Sequence, residues 1–246
     1  VISMDFVTVL WREMLVFKRT WWKFLASRLV GPVLYLTAFG WGLGRNIPTD
    51  SGSYLDFVVP GIIALSAMTT SFNATGNEVN MSRLYYKTLE EYLIAPISAG
   101  SFVLGKVLAG TVRGLISSMV ILVLGVLFGA RPALGGWFFA VIGTTCFLFA
   151  ALGVVAGMII NSHADMANFS TFVILPMAFL CGTFFQAEKL PAIVADVVRV
   201  LPLTHTSYTL RALAAGHTIP IVSALVLVGY SVAFFAAAVW TVRRIR

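Results

Sequence analysis

The 246 residues carry 59% hydrophobic and 11% charged side chains, a mean hydropathy of +0.92 and a net charge of +7. That is more apolar side chain than one water-soluble core can bury, which excludes a soluble domain and implies an all-α integral membrane protein. The sequence contains no basic soluble domain, so the positive charge is assigned to anionic lipid and membrane topology, and no nucleic acid partner is expected.

The first element occupies residues 1–26. Read as a helix over 5–24, it sets Phe6, Leu10, Met14, Phe17, Trp21 and Phe24 on one side and Asp5, Arg12, Arg19 and Lys23 on the other. Such a helix lies along a membrane surface, with Arg12, Lys18 and Arg19 at the headgroups and Trp21 and Trp22 at the interface. This long basic segment before the first apolar run is unlike a cleavable signal peptide. Apolar runs of spanning length then follow at 28–44, 57–76, 102–129, 137–160, 169–185 and 219–242, which predicts six transmembrane helices. Pro176 interrupts the fifth and predicts a broken helix there.

Between the second and third spans stands a charged island, residues 80–98. A helix over 83–96 places Tyr85, Tyr86, Leu89, Tyr92 and Leu93 on one face and Arg83, Lys87, Glu90 and Glu91 on the other, before Pro96 stops it. An exposed Lys87–Glu91 pair is worth only about 0.2–0.5 kcal/mol, so the pattern is better explained as a docking surface than as helix stabilisation. Residues 100–107 (GSFVLGKV) fit the first seven positions of a phosphate-binding loop. Val107 then stands where a hydroxyl must reach Mg²⁺, and the stretch runs into an apolar span, so no nucleotide site is assigned.

Arg113, about two turns beyond Lys106 in the third span, is expected to snorkel. The polar end of the second span, with Asn73, Thr75, Asn77 and Glu78, suits either a pathway lining or an approach to the cytosolic surface. His163 and Asp165 read as a turn between spans, and Cys146 and Cys181 as packing residues. His205 and His217 lie far from any acidic or cysteine cluster, so no metal ligands and no catalytic residues are assigned. Residues 186–216 are too polar to cross and too apolar for a free loop. Pro191 and Pro202 divide them into two short helices that dip into the outer leaflet and pack over the bundle. Lys and Arg concentrate on the segments that are inside if both termini are cytoplasmic.

This order of parts resembles the membrane subunit of the type-2 ABC exporters, the permease family that includes drug, polysaccharide and nodulation-factor exporters. The resemblance is carried by residues 54–64 (YLDFVVPGIIA), 90–98 (EEYLIAPIS), 181–191 (CGTFFQAEKLP) and 201–213 (LPLTHTSYTLRAL), and it spans nearly the whole chain. It implies a bacterial inner-membrane subunit, paired with a second copy of itself and with two separate ATPase subunits that hold ATP and Mg. It also implies that the 83–96 helix is a coupling helix seated on the ATPase through Arg83, Lys87, Glu90, Glu91 and Tyr92. The amphipathic first helix would brace the same junction, and the 186–216 hairpin would be the re-entrant outer helices. Within that framework Phe72, Asn73, Phe184 and Phe185 are the candidate path residues. Two rival classes find less support in the residues. An ion-coupled carrier or channel would need acidic groups at mid-membrane, whereas every Asp and Glu is read here at a loop or helix end. An intramembrane enzyme would need a convergent catalytic set, and none can be read.

Overall fold

The structure, a computed structural model, describes residues 5–38, 54–95, 97–181 and 192–245. The helices in chain order are α1 (Asp5–Tyr35), α2 (Tyr54–Leu84), α3 (Thr88–Ile94), α4 (Ala99–Leu127), α5 (Gly136–Ile159), α6 (His163–Phe169), α7 (Leu175–Leu180), α8 (Ala192–Val200), α9 (Pro202–Ala214) and α10 (Ile221–Ile245). A π-helical turn, Ser170–Ile174, joins α6 to α7. Among the described residues there is no strand, and α2, α4, α5 and α10 are long and apolar enough to cross a membrane.

The two ends of the bundle are built differently. At one end α2 runs into α3 through a tight bend in which Lys87 takes the left-handed conformation at φ 52°. Ser98 then starts α4, its side chain accepting the Ser101 amide at 3.1 Å, which satisfies an otherwise orphaned donor. At the other end the Arg131 amide donates to Asp56 at 2.8 Å, and the Arg211 guanidinium lies 3.8 Å from the Phe57 ring, so the α4–α5 loop and α9 close over the start of α2.

The core is centred on α2, which packs on α4 and α5 along its length and on α9 at one end. α5 comes so near that a Cβ on Gly153 would stand 2.6 Å from the Phe72 carbonyl oxygen, a fit that depends on the missing side chain. Thr75 reinforces the contact by donating across to Ala150 O at 2.8 Å. α10 packs against α5 and α9 and turns Ile221, Val222, Leu225, Val232 and Trp240 outward, the composition expected of a surface in hydrocarbon.

Three features differ from the sequence reading. The division into a surface helix over 1–26 and a span from 28 is replaced, within the described residues, by one helix running unbroken to Tyr35; the FLASR stretch (residues 24–28) between the two parts holds no helix breaker. Residues 39–44 of that expected span lie outside the described residues. The buried stripe of α1 is centred on Val9 and Glu13, while Trp11, Trp21 and Trp22 are exposed. In the expected fifth span the distortion begins before Pro176. The π turn shifts the hydrogen-bond register just ahead of the residue that lacks an N–H, a known way of absorbing proline in a helix.

The 186–216 hairpin, where described, is two short helices divided at Pro202. The last carbonyls of α8 are taken up by side chains. Thr204 donates to Val198 O at 2.6 Å, the His205 Nε2 lies 2.9 Å from Arg199 O, and Tyr230 donates to Val200 O at 2.7 Å. A helix end without water needs such partners, so α9 and α10 hold this turn in place.

Candidate functional site

α3 stands at one end of the bundle, between α2 and α4. Leu89 is buried beneath it, whereas Tyr85, Tyr86, Lys87, Glu90 and Glu91 are exposed around it. The expected single helix over 83–96 is shorter in the structure. Arg83 belongs to the last turn of α2, Lys87 caps α3, and Pro96 lies outside the described residues. The cause is the left-handed Lys87, which bends the chain so that Arg83 and Glu90 belong to different helices. Arg83 instead donates to Asn161 Oδ1, and the Asn80 amide donates to Ile160 O at 2.8 Å, tying α2 to the α5–α6 turn. Tyr92 turns inward, accepts a hydrogen bond from Arg12 of α1 and packs its ring against Phe102 of α4, the centroids 5.0 Å apart and the planes tilted by 57°. The remaining α1 residues singled out by sequence, Lys18, Arg19, Trp21 and Trp22, are exposed, with the two indoles 4.2 Å apart.

Behind Tyr92 lies an ion knot. Lys106 Nζ stands 2.6 Å from Glu13 Oε1 and 2.6 Å from Glu78 Oε1; Arg113 reaches Glu13 Oε2 at 3.3 Å and Glu78 Oε2 at 3.2 Å. Lys106 and Arg113 are two turns apart on α4 and so share a face, onto which α1 and α2 each present one carboxylate. Glu13 and Lys106 are 2% exposed and Arg113 13%, so the two acids and two bases must neutralise one another. The Lys106 ammonium is also 5.7 Å from the Tyr92 ring. A continuous set of contacts therefore runs from α3 through Tyr92 to α1, α2 and α4.

This arrangement corrects two expectations. Arg113 does not snorkel but pairs, and Glu13 and Glu78 sit in helix interiors rather than at ends. Both carboxylates are engaged by cations, so neither is a free ion site. The lysine of the loop-like GSFVLGKV stretch is accounted for as a partner in the knot, on the first turns of α4. Glu13 is the residue that sequence reasoning missed. Its signal was its placement one turn from Val9 and from Phe17, on the packing stripe of an otherwise amphipathic helix.

Further along α2 and α4, away from α3, is a cavity of about 420 Å³ between α1, α2, α4 and the α6–α7 segment. Asn73 lines it. Phe72 does not: it is fully buried, stacked at 5.7 Å on Phe169, because the neighbouring position on a helix faces about 100° away. Phe184 and Phe185 lie outside the described residues. Among the described residues no group of His, Cys, Asp or Glu is arranged to hold a metal ion; His205 is engaged with Arg199 O and Ser223.

Four helices long and apolar enough to cross a membrane, closed around a buried ion knot, define an integral membrane protein. Residues 4–215 match the ABC-2 type transporter family, and the chain belongs to that family. It is 29% identical to Nodulation protein J of Neorhizobium galegae over 231 residues, covering 88% of this chain and 84% of that protein. It is 30% identical to Nodulation protein J of Rhizobium leguminosarum bv. viciae over 228 residues (88% and 85%). The inner membrane transport permease YadH of Escherichia coli K12 is 27% identical over 224 residues (89% and 87%). Membrane subunits of this family work with an ABC ATPase.

Proposed function

We propose that this chain is the permease subunit of an ATP-driven exporter of a bacterial inner membrane, moving an amphipathic, lipid-like, drug or glycan substrate outward by alternating access. Two copies of the permease and two copies of a partner ATPase form the working unit, with ATP and Mg held by the ATPase. Both termini and α3 face the cytoplasm, a placement supported by Arg83, Lys87, Arg243 and Arg244 standing at one end and Arg131, Arg199 and Arg211 in the segments at the other.

The observation that carries this reading is α3 itself. Its exposed Glu90 and Glu91, with Tyr85, Tyr86 and Lys87 of the bend that precedes it, are offered to a partner, while Tyr92 joins its inner face to α1 and α4. A push on α3 by a closing ATPase is thereby delivered to the ion knot and the helices it joins, instead of being lost in a loose loop. ATP binding then favours one arrangement of the bundle over another.

The test is affinity purification of the permease expressed with its neighbouring genes, followed by assay for vanadate-sensitive ATP hydrolysis. Recovery of an ATPase with that activity is expected. A stable complex without ATPase would overturn the reading in favour of an ion-driven carrier or channel.

A further inference from the structure

A second cavity, of about 520 Å³, opens between α4, α5 and α10. It lies on the side of α5 turned away from α9, which meets the opposite side through Thr145 and Thr206, 3.0 Å apart. Its hydroxyls are spent within their own helices. Thr111 donates to Val107 O at 2.8 Å, Thr144 to Ala140 O at 2.9 Å and Ser231 to Leu227 O at 2.8 Å, so none has a hydrogen left for a ligand. The described lining contains no Asp, Glu, Lys or Arg, and Arg113, two residues beyond Thr111, is turned to the ion knot on the far face of α4. Gly143 gives the slot its depth. A Cβ there meets no atom within 4 Å among the described residues, whereas one on Gly153 of the same helix would stand 2.6 Å from the Phe72 carbonyl oxygen.

The slot has a floor. Phe147 and Phe235, with ring centroids 5.7 Å apart, are its lining residues nearest the α3 end, and they rest on the packed cluster of Val107, Ala151, Val154 and Ala238. Along α10 the floor is about 21 Å from Ile221. One leaflet measures about 15 Å of hydrocarbon and about 6 Å of headgroup, so a lipid standing at the α9 end has the reach to touch the floor with the end of its chain. A transmembrane helix, about 10–12 Å wide, needs a trough through the whole membrane thickness, which this floor blocks. At the α9 end the charge suits a phosphate. The Ala133 amide donates to Ala214 O at 2.8 Å, holding the loop with the exposed Arg131 beside the start of α10. Trp137 is exposed at the start of α5, and Gly135 offers no side chain to cap the first amides of that helix. Asp56, the acid at this edge, is engaged by the Arg131 amide.

We infer that the slot holds one acyl chain of a phospholipid, its methyl end on Phe147 and Phe235 and its phosphate at Arg131 and the start of α5. This lipid is a fixed companion of the subunit, on a different face from the cavity lined by Asn73, and its binding does not depend on the transport reading.

The permease with its partner chains is placed in nanodiscs containing a trace of phosphatidylglycerol with a diazirine at the end of one acyl chain. After irradiation, labelled peptides are mapped by mass spectrometry. Residues 143–147 and 228–235 are expected to be labelled several-fold more than Phe172 and Val173, apolar residues exposed outside the slot. Gly143→Leu fills the slot and raises helix propensity, so it is expected to melt no lower than the wild type while losing the label. A diacylglycerol with the same chains and no phosphate is expected to label the slot several-fold less, as is the phospholipid on Arg131→Ala. A slot labelled no more than Phe172 and Val173, which is the result if a neighbouring helix fills it, overturns the inference. So does equal labelling by the diacylglycerol, or undiminished labelling of a folded Gly143→Leu. The first two comparisons use the wild-type protein and decide the matter whatever the variants do.

Discussion

Replacing Lys106 by Met tests the ion knot most directly. In the wild-type protein the ammonium lies 2.6 Å from both carboxylates, and it and Glu13 are each 2% exposed. Without it, Glu13 and Glu78 face one another with Arg113 alone between them, at 3.3 and 3.2 Å. Removing one partner of a buried pair leaves an uncompensated charge, at a cost of about 3–5 kcal/mol, or roughly two to three and a half orders of magnitude in the folded-to-unfolded ratio. Replacing all four residues by apolar ones of similar size (Glu13→Leu, Glu78→Met, Lys106→Met, Arg113→Met) should by contrast return stability to near wild type, since the desolvation cost disappears together with the attraction. The knot therefore fixes where α1 sits on α4 and α2 more than it adds net stability. Thermal melting of the detergent-solubilised permease, followed by fluorescence gel filtration, reads both effects. If Lys106→Met melts with the wild type, or the fourfold variant falls as far as the single one, this account of the knot is wrong.

Four further outcomes are expected. Glu78→Gln should destabilise less than Glu13→Gln in the same melting assay, because the Glu78 side chain is 34% exposed against 2% for Glu13. Reversing Glu90 and Glu91 to lysine should leave membrane insertion intact and uncouple ATP hydrolysis from export in reconstituted vesicles; normal transport by that variant would remove α3 from the coupling role. Gly153→Val should lower the melting temperature by an overpacking cost of about 1–3 kcal/mol, since its Cβ would stand 2.6 Å from the Phe72 carbonyl oxygen, and a neutral result would mean that α2 and α5 are less closely packed. Lys87→Gly should be neutral or stabilising and Lys87→Ile destabilising by about 1–2 kcal/mol, because the left-handed conformation at φ 52° suits only the former; limited proteolysis between α2 and α3 would report the difference.

Much of this molecule follows from local chemistry that can be read along the chain. Long apolar runs commit α2, α4, α5 and α10 to helices in lipid, because hydrocarbon leaves the backbone no other partner. Pro202 divides the α8–α9 hairpin, Pro176 marks the distorted α6–α7 segment, and the alternation of Tyr92 with Glu90 and Glu91 announces a helix with an inner and an outer face. The failed phosphate-loop match was equally legible, since Val107 offers no hydroxyl. What the chain order could not convey is which distant residues meet. Glu13 and Lys106 are 93 positions apart, and a buried carboxylate is indistinguishable from an exposed one until a partner cation is placed beside it. The same holds for Phe72 and Asn73, adjacent in sequence yet directed one into the core and the other into the cavity, and for Ser66, Thr70 and Ser117, whose shared hydroxyl cluster exists only because α2 and α4 cross there. Periodicity and hydropathy depend on neighbours within a turn or two and are therefore written in the sequence; charge pairing and cavity shape depend on which helix faces come together, and only the tertiary structure decides that.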